Sequence, residues 1–128
     1  MKLNDLKVMI VEDEALAALL LTKFLNKLGC NVTGAVANGN DAITKADETK
    51  PDLIFMDIRL ADEIDGITAA TAILEKRKTN IIFMSAYSDK GVVEKAMKLN
   101  PMAFVNKPLT LEKLKNLIES SPLIEKTQ

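Results

Sequence analysis

Five short runs rich in apolar and β-branched residues, Lys7–Val11, Asn31–Val36, Leu53–Asp57, 81–84 and Ala103–Asn106, are separated by longer stretches in which apolar residues recur at helical spacing. That alternation constrains the chain more than any other feature. A strand whose successor lies in the same direction needs a long crossover, usually a helix, and repeating the unit gives an α/β fold: a parallel sheet covered by helices on both faces. The intervening helices are expected at about 14–28, 40–49, 66–78, 90–99 and 110–120. Gly29 suits a left-handed C-terminal cap, Thr110 a capping hydroxyl, and Pro51, Pro101 and Pro122 mark stops. In the last helix Leu111, Leu114 and Ile118 share one face, with Glu112, Lys115 and Asn116 turned away.

At 128 residues and 48% apolar content, the chain can build one core without disulfides or a structural metal. It reads as one domain over 1–128, with a core of about 6–120 and a short tail, 121–128. Cys30 is the only cysteine and there is no histidine, which leaves neither an internal disulfide nor a zinc ligand set. The start lacks the apolar centre of a signal peptide, and the longest apolar run is too short to cross a bilayer. A reducing, cytoplasmic setting is expected. Net charge is −1, so neither nucleic acid nor an anionic membrane is expected as a partner. The distribution is uneven: residues 1–65 hold 12 acids against 7 bases, whereas residues 66–128 hold 6 against 10.

The acidity is densest in "IVEDE", where an apolar run meets Glu12, Asp13 and Glu14 in succession. Taken alone, such a run is a solvated helix start, where acids favour the helix dipole. The other strand ends change its meaning, because ligands of open parallel sheets bind outside the carboxyl ends of the strands. The third run ends in Asp57 and Arg59, the fourth in Ser85 and the fifth in Lys107 before Pro108. Carboxylate, hydroxyl and ammonium from separate parts of the chain thus meet at one rim. Adjacent carboxylates there are tolerable if a small hard cation neutralises them.

In order and spacing, "IVEDE", "LIFMDIRL", "FMSAYSD" and "AFVNKPL" resemble the successive motifs of the receiver domain of two-component response regulators, in its stand-alone, chemotaxis-regulator-like form. The resemblance implies a flavodoxin-like, doubly wound five-stranded parallel sheet of order 2-1-3-4-5 flanked by five helices. It implies a phosphorelay switch: Asp57 accepts a phosphoryl group from a histidine kinase or phosphotransfer protein, with Lys107 and Ser85 assisting. Mg²⁺ is implied as cofactor, held by Asp13, Asp57 and the backbone carbonyl of Arg59, with Glu12 acting through water. Ser85 and Phe104 stand at the switch positions, Arg59 and Tyr87 where the family sets its dephosphorylation rate, and the Lys107–Pro108 bond is expected to be cis. Such a domain is a signalling switch that takes part in its own phosphorylation and dephosphorylation, not an enzyme acting on a separate substrate. A downstream protein is implied, and a homodimer is left open.

Two other classes compete. A haloacid-dehalogenase-type hydrolase would need a second aspartate two residues after Asp57, where Arg59 stands. A binding module that has lost its chemistry would lack an acidic, acceptor or lysine position, and none is lost. The segment "DIRLADEIDGI" departs from the receiver pattern by lacking a proline and by one extra residue before Gly66. Its acids Asp57, Asp62, Glu63 and Asp65 lack the ligand spacing and central glycine of an EF-hand calcium loop.

The first helix, "ALAALLLTKFLNKL", is more apolar than one buried stripe requires. On a wheel of about 100° per residue, Ala17, Leu21, Phe24 and Leu28 gather toward the sheet, while Leu16 and Leu19 fall among Lys23, Asn26 and Lys27. Leu16 and Leu19, one turn beyond the acidic run, are expected to form part of the donor-docking surface.

Overall fold

The computed structural model describes residues 1–60, 64–86 and 90–125. Its strands are β1 (Lys7–Val11), β2 (Asn31–Val36), β3 (Leu53–Asp57), β4 (Asn80–Ser85) and β5 (Ala103–Asn106), all parallel, in the order β2-β1-β3-β4-β5. The helices are α1 (Ala15–Leu28), α2 (Gly39–Thr49), α3 (Gly66–Lys76), α4 (Lys90–Met97) and α5 (Leu111–Glu119), preceded by a short 3-10 turn at Leu3–Asp5. This is the flavodoxin-like arrangement expected from the sequence.

The continuous apolar runs of the central strands arise because both faces of the sheet are covered. Period-two alternation divides each run between two cores. Met9, Val11, Ile54, Met56, Ile81 and Phe83 meet Ala42, Ala46, Ala69, Ala70, Ile73 and Ala96 of α2, α3 and α4. Val8, Ile10, Leu53, Phe55, Ile82 and Met84 meet Leu21, Leu25, Leu114 and Ile118 of α1 and α5. Alanines predominate among the helix residues of the first core, and leucines among those of the second.

Helix ends follow local chemistry. The side chains of Asn38, Asp65 and Thr110 accept hydrogen bonds from the backbone N–H groups of Asp41, Thr68 and Lys113, starting α2, α3 and α5. The cap at Asn38 places Gly39 inside α2, one residue before the expected start. Gly29 closes α1 at φ 93°. α3 stops at Lys76, short of 78, because Arg77 turns extended and its guanidinium reaches Asp47 of α2 at 2.5 Å. α4 ends at Met97 rather than 99, where Leu99 and Asn100 donate to the carbonyls of Ala96 and Met97 in a tight turn. In α1 the buried face centres on Leu21 and Leu25, with Phe24 and Leu28 partly buried and packed against it and Ala17 at its edge. The tail also joins the core: Leu123 and Ile124 pack under α1 and α5, and the Glu125 N–H donates to the Met1 carbonyl at 2.9 Å.

Two helix starts rest against the segment that follows β3. A Cβ on Gly66 would lie 2.0 Å from the Asp57 carbonyl oxygen and 3.0 Å from the Ile58 Cα, and the Gly66 N–H donates to the Ile58 carbonyl at 2.8 Å. A Cβ on Gly39 would lie 2.8 Å from the Ile64 side chain. At Gly66 the opposing atoms are backbone, which cannot rotate away. Gly66→Ala should therefore destabilise the fold by about 1–3 kcal/mol, as overpacking does, read as a lower midpoint in urea denaturation with an unchanged slope.

Candidate functional site

Parallel register assembles the site. Val11 pairs with Met56, Met56 with Phe83 and Phe83 with Phe104, so the next residues, Glu12, Asp57, Met84 and Val105, emerge on one line at the carboxyl edge. One step further, Ser85 pairs with Asn106, and the Ser85 carbonyl accepts the Lys107 N–H at 2.9 Å. Lys107 thus leaves the sheet directly beside the acids. Its peptide bond to Pro108 is cis.

The Lys107 ammonium is shared. It donates to Glu12 Oε1 at 2.5 Å and to Asp57 Oδ2 at 2.8 Å. Glu12 and Asp57 are buried, at 4% and 5% exposure, and Ser85 is buried at 2%, whereas Asp13 stands exposed at the mouth. The other oxygen of Asp57, Oδ1, accepts the Arg59 N–H at 3.3 Å. Burial, reinforced by the neighbouring Asp57 carboxylate and offset in part by Lys107, pushes the Glu12 carboxyl up from an ordinary 4.5 to about 7. Burial alone would lower the Lys107 ammonium; its hydrogen bonds to Asp57 and Glu12 outweigh that and hold it above its ordinary value, so it stays charged.

Ligand oxygens of Glu12, Asp13 and Asp57 all lie within 4.8 Å of one another. Glu12 Oε2 is buried without a hydrogen-bond partner among the described residues. A buried carboxylate oxygen left unpaired is costly, and a cluster of hard oxygen donors suits a small divalent cation. On both counts the residues present fit Mg²⁺.

Phe104 is half-buried, its ring 6.5 Å from that of Phe83, its register partner. Tyr87, Asp62 and Glu63 lie outside the described residues. Asp65, the remaining acid of that loop, caps α3 by accepting the Thr68 N–H at 2.8 Å. Leu16 and Leu19 are exposed at 81% and 52%.

Two features escape the motif reading. Gly66 reads from sequence only as a helix start, yet it presses on the acceptor strand's last carbonyl. The second is a cleft of about 380 Å³ beside the acidic centre, between Leu20 and Phe24 of α1 and Pro108 and Leu109 beyond β5, with Glu12 and Lys107 at its polar end. Leu20, half-exposed at 49%, sits on the flank of the helical wheel that neither face claims. The run of three leucines at 19–21 was the available signal.

A sequence profile of the response regulator receiver domain matches residues 8–119. The chain belongs to the response regulator receiver family. This receiver is 36% identical over 113 residues to the transcriptional regulatory protein PdtaR of Mycobacterium tuberculosis, covering 88% of this chain and 55% of that protein. It is 35% identical over 103 residues to the chemotaxis protein CheY of Thermotoga maritima, covering 80% of this chain and 85% of that protein. The receiver therefore spans about half the length of the first of these curated relatives. Among solved structures, a chain of the CheX-CheY-BeF3-Mg+2 complex from Borrelia burgdorferi superposes with a TM-score of 0.83 at 26% identity, covering 90% of this chain and 87% of that one. No helix among the described residues is long and apolar enough to cross a membrane.

The raised Glu12 carboxyl gives a signed pH dependence. Between about 4.5 and about 7 the folded receiver holds a proton there that the unfolded chain releases, so this group's contribution to stability is present at low pH and lost as pH rises through that window. Glu12→Gln cannot ionise. In the presence of a chelator, its melting temperature minus that of the wild type should become more positive between about pH 5 and about pH 8. A difference that stays flat across the range would show Glu12 to be ionised throughout.

Proposed function

We propose that this receiver is the phosphorylation switch of a cytoplasmic two-component phosphorelay. Asp57 accepts a phosphoryl group from a histidine kinase or phosphotransfer protein, and a downstream protein reads the change at the face formed by α4, β5 and α5. The observation that supports this best is the Lys107 ammonium bridging Glu12 and Asp57 at the carboxyl edge of the sheet. It sets a carboxylate nucleophile at the end of an apolar strand beside a fixed positive charge, and phosphoryl transfer depends chiefly on positioning and charge stabilisation.

In this reading an Asp57 carboxylate oxygen forms the new bond to phosphorus as the bond from phosphorus to the donor's leaving atom breaks. Lys107 keeps its protons throughout and balances the charge that gathers on the phosphoryl oxygens. Mg²⁺ would be held by Asp13, Asp57 and the Arg59 carbonyl, with Glu12 through water; when bound it supplies positive charge against the acidic rim and the phosphoryl group. The presence of BeF3 and Mg+2 in the Borrelia complex supports this assignment. Ser85 donates its hydroxyl to a phosphoryl oxygen, and Phe104, half-buried against Phe83, repacks as Ser85 moves. Arg59 and Tyr87 tune the rate at which water removes the group. Leu16 and Leu19 meet the protein donor.

Incubation with a small-molecule phosphodonor and Mg²⁺ should add one phosphoryl group by intact mass, and none with chelator. Asp57→Asn should abolish the adduct, and an adduct that persists in this variant would place the acceptor elsewhere. Asp13→Asn should weaken the Mg²⁺ dependence most strongly among single rim changes.

The docking assignment has its own test. Replacing Leu16 and Leu19 together by glutamine should slow transfer from the protein donor at least tenfold while leaving labelling by a small phosphodonor and the melting temperature unchanged. If both routes fall together, the leucines belong to the fold rather than to the docking surface.

A further inference from the structure

The backbone that leaves β3 is held from two sides. Toward β4, the Ile58 N–H donates to the Met84 carbonyl at 3.1 Å, and the Ile58 side chain is buried in the core beneath α2, α3 and α4. Opposite stands Gly66, the first residue of α3. Its N–H, one of the donors that a helix start leaves without an intrahelical partner, reaches the Ile58 carbonyl at 2.8 Å. A Cβ there would lie 2.0 Å from the Asp57 carbonyl oxygen and 2.9 Å from its carbon. Gly66 is not among the glycines of positive φ, so the position requires glycine for space alone. Withdrawal of α3 would open voids around Ala69, Ala70 and Ile73, which are fully buried.

The two peptide groups held in this way are those between Asp57 and Arg59. The first joins Asp57 to Ile58, and the second joins Ile58 to Arg59, whose N–H donates to Asp57 Oδ1 at 3.3 Å. The same backbone carries the Asp57 carboxylate, 2.8 Å from the Lys107 ammonium. We propose that Gly66 is a positioning residue for phosphoryl transfer: its bare Cα and its N–H fix the Asp57–Arg59 backbone, and through it the Asp57 carboxylate and the Arg59 carbonyl. It touches no reacting atom and acts only through these two residues. The role in transfer rests on the function proposed above, whereas the clamp on the backbone does not. A side chain at position 66 must displace the Asp57 carbonyl by about 1 Å to reach van der Waals distance, and misplacement on that scale costs a reaction up to about 10²-fold. A metal ligand supplied by backbone suffers equally, because a carbonyl cannot be re-aimed by rotating a side chain.

The test compares the wild type with Gly66→Ala and with Leu25→Ala, which opens a cavity in the opposite core and shows what destabilisation alone does. Sucrose keeps each variant folded. Titration with Mg²⁺, followed by amide resonances, should give Gly66→Ala a dissociation constant raised at least fivefold and leave Leu25→Ala within twofold of the wild type. At saturating Mg²⁺, labelling by a small phosphodonor should be at least tenfold slower in Gly66→Ala and near the wild-type rate in Leu25→Ala. Retention of either property by a folded Gly66→Ala, or equal losses in Leu25→Ala, overturns the proposal. If Gly66→Ala does not fold, Ile58→Val loosens the same backbone from its buried side and should raise the Mg²⁺ dissociation constant at least twofold; an unchanged constant overturns the clamp. A wild type that binds Mg²⁺ but takes no phosphoryl group refutes the Asp57 assignment instead, and the Mg²⁺ comparison then decides the clamp. A wild type that binds no Mg²⁺ overturns both.

Discussion

One ammonium group shared by two buried carboxylates organises the carboxyl edge of this receiver. Glu12 and Asp57 come from neighbouring strands and would repel each other across a short distance with little water between them. Lys107, supplied by the far edge strand, neutralises part of that repulsion and in doing so ties β1 and β3 to the end of β5 across β4. Neutralisation is incomplete: two carboxylates face one cation, one Glu12 oxygen lacks a partner among the described residues, and the Glu12 carboxyl responds by favouring its protonated form. The site is built with a deficit of positive charge, which is the condition under which a divalent cation is held well.

The sheet makes this economy of residues workable. Because all five strands run in one direction, their carboxyl ends open on the same side, and single-residue register decides which side chains become neighbours. A slip of one residue would send every core side chain to the opposite layer. The two apolar layers therefore do more than stabilise the fold; their alternating occupancy prevents the slip that would separate Asp57 from Glu12 and Lys107.

Much of this was legible in the sequence, for reasons that also explain what was not. Strands buried on both faces announce themselves as apolar runs, and the bounds of β1, β2, β3 and β5 follow directly from those runs. β4 extends one residue further at each end because Asn80 and Ser85 are polar and break the apolar run, although the strand ladder continues through them. The end of α3 goes with a tertiary partner, Asp47 for Arg77, and α4 ends in a local turn where Asn100 takes φ 53°, a conformation that an apolar pattern does not encode. Residue types at the strand ends picked out Glu12, Asp57, Ser85 and Lys107. The close packing at Gly66 and the cleft beside Leu20 arise from the approach of segments distant in the chain, and a glycine or a leucine has no chemistry of its own to draw attention.

The two glycines at the starts of α2 and α3 have a mechanical consequence. Each helix is 11 residues, about 16 Å, long and touches the segment after β3 at its first residue, α3 backbone to backbone at Gly66 and α2 against the Ile64 side chain at Gly39. A shift of about 1 Å at that end tilts a rod of this length by about 4°. Helix and segment then move as lever and fulcrum, and the ion pair of Asp47 with Lys76 and Arg77, near the opposite ends, obliges the two levers to swing together. Displacement at the last residue of β3 is in this way delivered as rotation to a surface a full helix length away.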